Sequence, residues 1–365
     1  MTELLTRGIA FFKSDIAENH AYHHPVTNTQ HLSAGNANDI KTAVALLLQG
    51  KLVAIPTETV YGLAASALDP AAIAGIFTAK QRPHWDPLIV HIADQAMLPR
   101  IVREITHTVQ RLMDALWPGP LTLLLPRNLD LPSAVTAGRD LVGVRMPAHP
   151  VALDLLRSVK LPLAAPSANT FGHISPSTAQ HVLDDLNGRI DAVLDAGPCT
   201  LGVESTVYDP ASMTIYRQGG VSIAQIEAVT GTRARLYQRR EDTTRSTDPP
   251  ESLPSPGVGM RHYAPRAAVF LLHDEAHLHS LLPELNQEGN GILLPLEWTA
   301  PNWQGTVLRW ASWHDSAALA RTLYSCLREL DAGKLHTILC PLPPASTDPL
   351  AGAIRDRLMK AARDV

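Results

Sequence analysis

The segment TRARLYQRREDTTRSTDPPESLPSPGVGMRHYAP, residues 232–265, limits what this chain can fold into more than any other stretch. It is rich in arginine, then in proline, serine and glycine, and its few apolar residues do not recur at helical or strand spacing. Such a stretch has no face to bury and reads as a linker. A chain of 365 residues, 45% hydrophobic and 18% charged, is long enough to build a core on each side of it. The expected organisation is an N-terminal extension over 1–35, a first domain over 36–230, the linker over 231–266 and a second domain over 267–365.

Both flanks alternate strand and helix patterns. In the first, NDIKTAVALLLQGK carries an Asn or Asp start signal, apolar residues at helical spacing and a stop at Gly50, and LVAIPT follows as a short buried strand. PAAIAGIFTAK predicts a second helix with Pro70 in its first turn. Strand-like runs recur at PLIVHI, LTLLLP, LVGVRMP, PLAAPSA, AVLDAG, STVYDP and MTIYRQG, some too closely spaced for a purely parallel sheet, so a mixed α/β fold is expected. After Ala267, AAVFLL, EAHLHSLLPELNQ, GILLPLEW, SAALARTLYSCLRELDAG, LHTILCPL and PLAGAIRDRLMKAAR alternate regularly, which predicts a small, mostly parallel, Rossmann-like open domain.

Charge and cysteine content remove several function classes. A formal net charge of -4 argues against a surface given over to nucleic acid. Cys199, Cys326 and Cys340 are an odd number without CxxC spacing, so neither a disulfide framework nor a protein metal site is expected. His20, His23, His24 and His31 do not repeat a ligand geometry either, and the first 35 residues read as a poorly ordered extension. With no leader pattern and no apolar run of membrane-spanning length, the expected location is the cytoplasm.

The familiar nucleotide-binding loops are missing. GKL at 333–335 lacks the rest of a phosphate loop, and GVGMRH at 257–262 lacks the third glycine of a dinucleotide turn. Polar side chains are instead inserted at strand ends: the Thr-Glu-Thr triplet of PTETVYGL, Lys80 and Arg82 before PLIVHI, Ser167 and Asn169 in APSAN, Ser175 and Ser177 shortly after, Glu204 and Ser205 in GVESTV, and Arg217 in YRQGG. Lys80 and Arg82 fit a helix dipole as well as a triphosphate, and Ser175 or Ser177 fits a helix cap. Several such insertions in one domain nevertheless point to one small-molecule site.

PTETVYGL, KQRP followed by DPLIVH, VRMP, APSAN, GVESTV and YRQGG, in that order, resemble the L-threonylcarbamoyladenylate synthase family, whose catalytic unit is the YrdC-like domain. The likeness covers about residues 38–230, and SPGVGMRHYAP and AIRDRLMKAA are similar to the linker and the close of the longer, two-domain members. It implies a YrdC-like twisted mixed sheet with helices, joined to the Rossmann-like domain. It also implies synthesis of threonylcarbamoyl-AMP and pyrophosphate from L-threonine, bicarbonate and ATP with Mg²⁺, the product passing to a tRNA threonylcarbamoyl transferase complex, with at most weak contact to tRNA itself. By the resemblance, Thr59, His91, Arg145 and Ser205 hold threonine; Arg82, Thr122, Ser167, Asn169, Ser175, Arg217 and Tyr263 surround ATP; and Lys80 acts with Arg82 at the phosphates. Asp86 stands where the family usually has asparagine, which puts a carboxylate beside the expected phosphates. The linker would serve as a lid. The alternative is an RNA-binding translation accessory protein with the same domain.

Overall fold

In the computed structural model, the structure describes residues 28–238, 255, 263–300, 302–346 and 348–362. The first domain runs β1 (Gln30–Ser33), α1 (Ala37–Leu48), β2 (Val53–Ile55), β3 (Gly62–Ser66), α2 (Pro70–Lys80), β4 (Ile89–His91), α3 (His107–Leu116) and β5 (Leu121–Pro126). It continues with β6 (Leu141–Arg145), α4 (Pro150–Val159), β7 (Leu163–Ala164), α5 (Ala179–Leu186), β8 (Ala192–Asp195), β9 (Thr206–Asp209), β10 (Thr214–Arg217), α6 (Ile223–Thr230) and β11 (Arg235–Leu236). Its strands form one twisted mixed sheet in the order β1-β8-β2-β3-β7-β4-β6-β5-β9-β10-β11. The helix starts follow local chemistry: the Asn36 side chain accepts from the Asn38 amide to open α1, Asp69 accepts from Ala71 to open α2, and Pro70 supplies a first-turn φ without a wasted donor.

Two boundaries differ from the sequence reading. Residues 30–33 lie in the sheet, not in an extension: β1 pairs in parallel with β8, from Gln30 opposite Ala192 to Ser33 opposite Asp195. QHLS buries only Leu32, so the strand has no apolar alternation to announce it, and its partner is far along the chain. At the other end, β11 pairs with β10 inside what reads as linker. Most of the expected lid lies outside the described residues.

The second domain contains β12 (Ala268–Leu272), α7 (Glu275–Leu285), β13 (Asn290–Leu294), β14 (Thr306–Arg309), α8 (Ser316–Ala332), β15 (Thr337–Pro341) and α9 (Pro349–Ala361). Its sheet, ordered β12-β15-β13-β14, is parallel throughout. Beyond a tether, the domains share an apolar cluster: Val60, Ile174 and Val203 of the first pack with Tyr263 and with Leu319, Leu323, Leu327, Ile354 and Leu358 of the second. Each aliphatic side chain so covered contributes about 1.5–3 kcal/mol, enough in sum to hold a domain in place.

Candidate active site

β4 and β6 run parallel in register, so His91 and Arg145 leave the sheet side by side at their C-terminal ends. Between β2 and β3, the Thr57 hydroxyl donates to the Val60 carbonyl at 2.6 Å and accepts the Thr59 and Val60 amides at 3.2 Å, which folds the Thr-Glu-Thr triplet into a tight turn. The turn brings two groups to Arg145. Nη1 donates to Thr59 Oγ1 at 2.8 Å, and Nη2 lies 2.6 Å from Glu58 Oε1. Thus one hydroxyl of the triplet builds the turn, while the other hydroxyl and the carboxylate hold a guanidinium.

On the far side of the cleft, Arg217 ends β10 and Ser205 precedes β9. Arg217 Nε donates to the Ser205 carbonyl at 3.0 Å and Nη2 to Ser205 Oγ at 3.1 Å; that hydroxyl also meets Thr122 Oγ1 at 2.8 Å. Gly219 makes this approach feasible, because a Cβ there would stand 2.5 Å from the Ser205 carbonyl carbon. Arg82 follows the α2 cap, where Gln81 takes φ 54. Its Nε and Nη2 donate to the carbonyls of Asp86 and Pro87 at 3.1 and 2.6 Å, and Nη2 lies 3.0 Å from the Asp86 carboxylate. Asp86 is therefore the internal counter-ion of Arg82.

Thr59, Arg82, His91, Arg145, Ser167, Ser205, Arg217 and Tyr263, all expected from the sequence, line a single cleft with Thr57 and Glu204. Four expected residues stand behind its wall. Lys80 is almost fully buried and its ammonium donates at 2.5 Å to each of the carbonyls of Ser167 and Asn169, so it braces the APSAN turn instead of presenting a charge in the cleft. Burial foremost, and then the charge of Arg82, pushes Lys80 well below the ordinary lysine range. Asn169 donates to the carbonyls of Thr170 and His173, and Thr122 supports Ser205. Ser175 donates to Glu204 Oε1 at 2.6 Å; the α5 cap is Thr178, whose side chain accepts from the His181 amide. Helix α5 thus takes neither of the serines read as caps.

The electrostatics divide the cleft. Arg82, Arg145 and Arg217 are only 6, 4 and 6% exposed, so three guanidinium groups act at low dielectric on whatever enters. His91 is also buried, and burial first and Arg145 second push its pKa down to about 3. It is a neutral imidazole at neutral pH. The sequence marks Glu58 and Glu204 as polar insertions and Asp86 as a carboxylate beside the expected phosphates, but it does not show that each is the partner of an arginine. Among the described residues, no group of three or more His, Cys, Asp or Glu side chains converges as a metal site, and no helix is long and apolar enough to cross a membrane.

Residues 45–219 match the family model of Sua5, YciO and YrdC proteins, described as "Telomere recombination", and residues 221–363 match "Threonylcarbamoyl-AMP synthase, C-terminal domain". A threonylcarbamoyl-AMP synthase of Bacillus subtilis is 41% identical, over 90% of this chain and 94% of its own. The chain belongs to the threonylcarbamoyl-AMP synthase family. A second member, from Pyrococcus abyssi, is 36% identical over 88% of this chain and 94% of its own. The solved structure of Pyrococcus abyssi Sua5 complexed with L-threonine superposes with a TM-score of 0.80 at 34% identity, covering 92% of this chain and 97% of that one. The likeness spans both domains, so this chain has the two-domain form of the synthase family.

Proposed function

We propose that this chain, as a threonylcarbamoyl-AMP synthase, joins L-threonine, bicarbonate and ATP into threonylcarbamoyl-AMP and pyrophosphate in the cleft lined by Arg82, Arg145 and Arg217. The observation that carries this reading is the convergence of three buried arginines on one cleft in a chain matched along nearly its whole length by such synthases. Threonine's carboxylate takes the Arg145 end, where Thr59 and the neutral His91 offer partners for its hydroxyl and amine. The nucleotide takes the Arg217 and Arg82 end with Ser167 and Tyr263, and Ser205 stands at the seam because it touches Arg217 and lines the same cleft.

Threonine's amine must be neutral to attack the carbon of bicarbonate; the N–C bond forms, a C–O bond of bicarbonate breaks, and its oxygen leaves as water, giving the carbamate. A carbamate oxygen then attacks the α-phosphorus, the bond from that phosphorus to the bridging oxygen breaks, and pyrophosphate leaves with its electron pair. No protein nucleophile is required. The chain's contribution is positioning and neutralisation of developing charge by preorganised guanidinium groups. Mg²⁺ enters with ATP, bound by its phosphates; the carboxylates nearest the cleft, Glu58, Asp86 and Glu204, each have an arginine partner within 3.0 Å. Lys80 serves Ser167 and Asn169 as a scaffold. The product supplies the threonylcarbamoyl transfer to tRNA, and the cytoplasm is where those substrates meet.

Mass-spectrometric detection of threonylcarbamoyl-AMP after incubation with L-threonine, bicarbonate and ATP tests the reading. Product that depends on all three is expected. Pyrophosphate release that is the same without threonine would overturn it.

A further inference from the structure

Glu204 lies on the cleft wall between Arg217 and Tyr263, yet its carboxylate is tied to the other domain. Besides Ser175, it accepts from the Tyr324 hydroxyl of α8, at 3.0 Å on Oε1 and 2.9 Å on Oε2, and from Arg357 Nε of α9 at 2.8 Å on Oε2. Arg357 is 1% exposed; its Nη1 meets Asp356 at 2.7 Å, and Asp356 also takes Lys360 at 2.8 Å. The guanidinium lies 5.1 Å from the centroid of the Tyr263 ring, which in turn stacks on Tyr324 at 6.0 Å. On α9, Arg357 interrupts a stripe of buried apolar residues, Ala353, Ile354, Leu358 and Ala361. A fully desolvated charge in such a stripe is costly unless its partner is in place.

We propose that the C-terminal domain is a working part of the nucleotide end of the cleft, with Arg357 and Tyr324 as positioning residues that neutralise Glu204 and fix Tyr263. The inference rests on assigning the Arg217 end to ATP. Without Arg357, a buried carboxylate would stand on the wall beside Arg217, compete for its guanidinium and repel polyphosphate. With it, the negative charge is matched from the second domain, and the Tyr263 ring packs against both a cation and an aromatic ring. Domain docking and nucleotide binding therefore use the same atoms. Burial raises the pKa of Glu204, but Arg357 and then Arg217 outweigh it and hold the carboxyl down at about 2, in keeping with a permanent ion pair.

The test is a comparison of the full-length chain with Arg357→Gln, Arg357→Lys, Tyr324→Phe, Glu204→Gln and the Arg357→Gln/Glu204→Gln pair. ATP affinity is measured by calorimetry, and KM is measured separately for ATP and L-threonine. Arg357→Gln should weaken ATP by about tenfold or more and threonine by less than about twofold, because an unpaired buried carboxylate faces only the nucleotide end. The double variant should recover ATP affinity to within about threefold of wild type, since carboxylate and counter-ion leave together. Arg357→Lys should retain most of it. If Arg357→Gln does not fold, Tyr324→Phe, which removes one donor from Glu204, should still weaken ATP a few-fold with threonine unchanged. A tie that merely holds the domains together would lower thermal stability in all variants without separating the two substrates; that outcome, or a double variant as impaired as Arg357→Gln, would overturn the proposal. A wild type that binds ATP but makes no product would instead count against the assigned reaction, while the ATP titrations would still read the ion pair.

Discussion

Each arginine of the cleft carries an internal oxygen partner: Glu58 on Arg145, Asp86 on Arg82, and the Ser205 carbonyl and hydroxyl on Arg217. An anionic substrate must compete with or add to these partners, so they set its affinity as much as the arginines do. Asp86 is the clearest case, with both partners nearly fully buried. Asp86→Asn keeps the shape and removes the charge, and it should tighten ATP by about three- to tenfold at some loss of stability. Calorimetric titration with ATP checks this; weaker binding would mean that the carboxylate positions Arg82 more than it opposes phosphate. His91 gives a pH dependence. The unfolded chain protonates this imidazole below its ordinary pKa of 6.5, whereas the fold resists until about 3. The fold therefore loses stability as pH falls through that window and gains nothing from this group above it, by roughly 2 kcal/mol at about pH 5. Half-buried His181, pushed down to about 4 by desolvation foremost and then by Arg328, acts in the same direction. Thermal unfolding midpoints should drop from about pH 7 to about pH 5 in the wild type and drop less in His91→Gln; equal drops would remove His91 from the account.

At the scale of elements, the site is a set of strand ends brought close by turns, some braced by their own side chains and one, at Gly219, with no room for any. The turn after β10 is the tightest of them. Gly219→Ala would press a methyl group into the Glu204–Thr206 backbone, displacing Arg217 and lowering kcat/KM for ATP by about tenfold or more while threonine binding persists. Parallel titrations of the two substrates check this, and unchanged ATP kinetics would contradict it. Part of the site is legible locally, because a polar residue at the end of an apolar strand is a signal in its own window: Ser167, Ser205 and Arg217 reach the cleft wall, as do His91 and Arg145, which only the family resemblance marks. What was not legible is non-local. Ser175 looks like a cap in a window of a few residues, but its partner is Glu204. Lys80 looks like a phosphate ligand, but its acceptors are two carbonyls of a turn that folds back from beyond β7. QHLS has no alternation because β1 is an edge strand with one buried residue. Arg357 was visible only as a cation in an apolar helical stripe, and nothing in its own window names Glu204.

At the scale of the whole molecule, the second domain is docked, with a shared apolar cluster and a buried ion pair at the cleft. Gly202 marks how closely the domains meet: it has φ +82, and a Cβ there would lie 2.5 Å from the Ala320 carbonyl oxygen and from Arg321 Cα of α8. Gly202→Ala should therefore strain the turn and part the domains, giving a broadened or two-step calorimetric unfolding trace and reduced turnover; a single sharp transition at the wild-type temperature would contradict a docked second domain. The central claim is that one cleft has a threonine end at Arg145 and a nucleotide end at Arg217. Calorimetric titration of L-threonine and of ATP into the wild type, Arg145→Gln and Arg217→Gln tests it most directly. Arg145→Gln should lose threonine affinity by about tenfold or more with ATP little changed, and Arg217→Gln should show the reverse. Loss of both ligands to the same extent in both variants, or of neither, would contradict it.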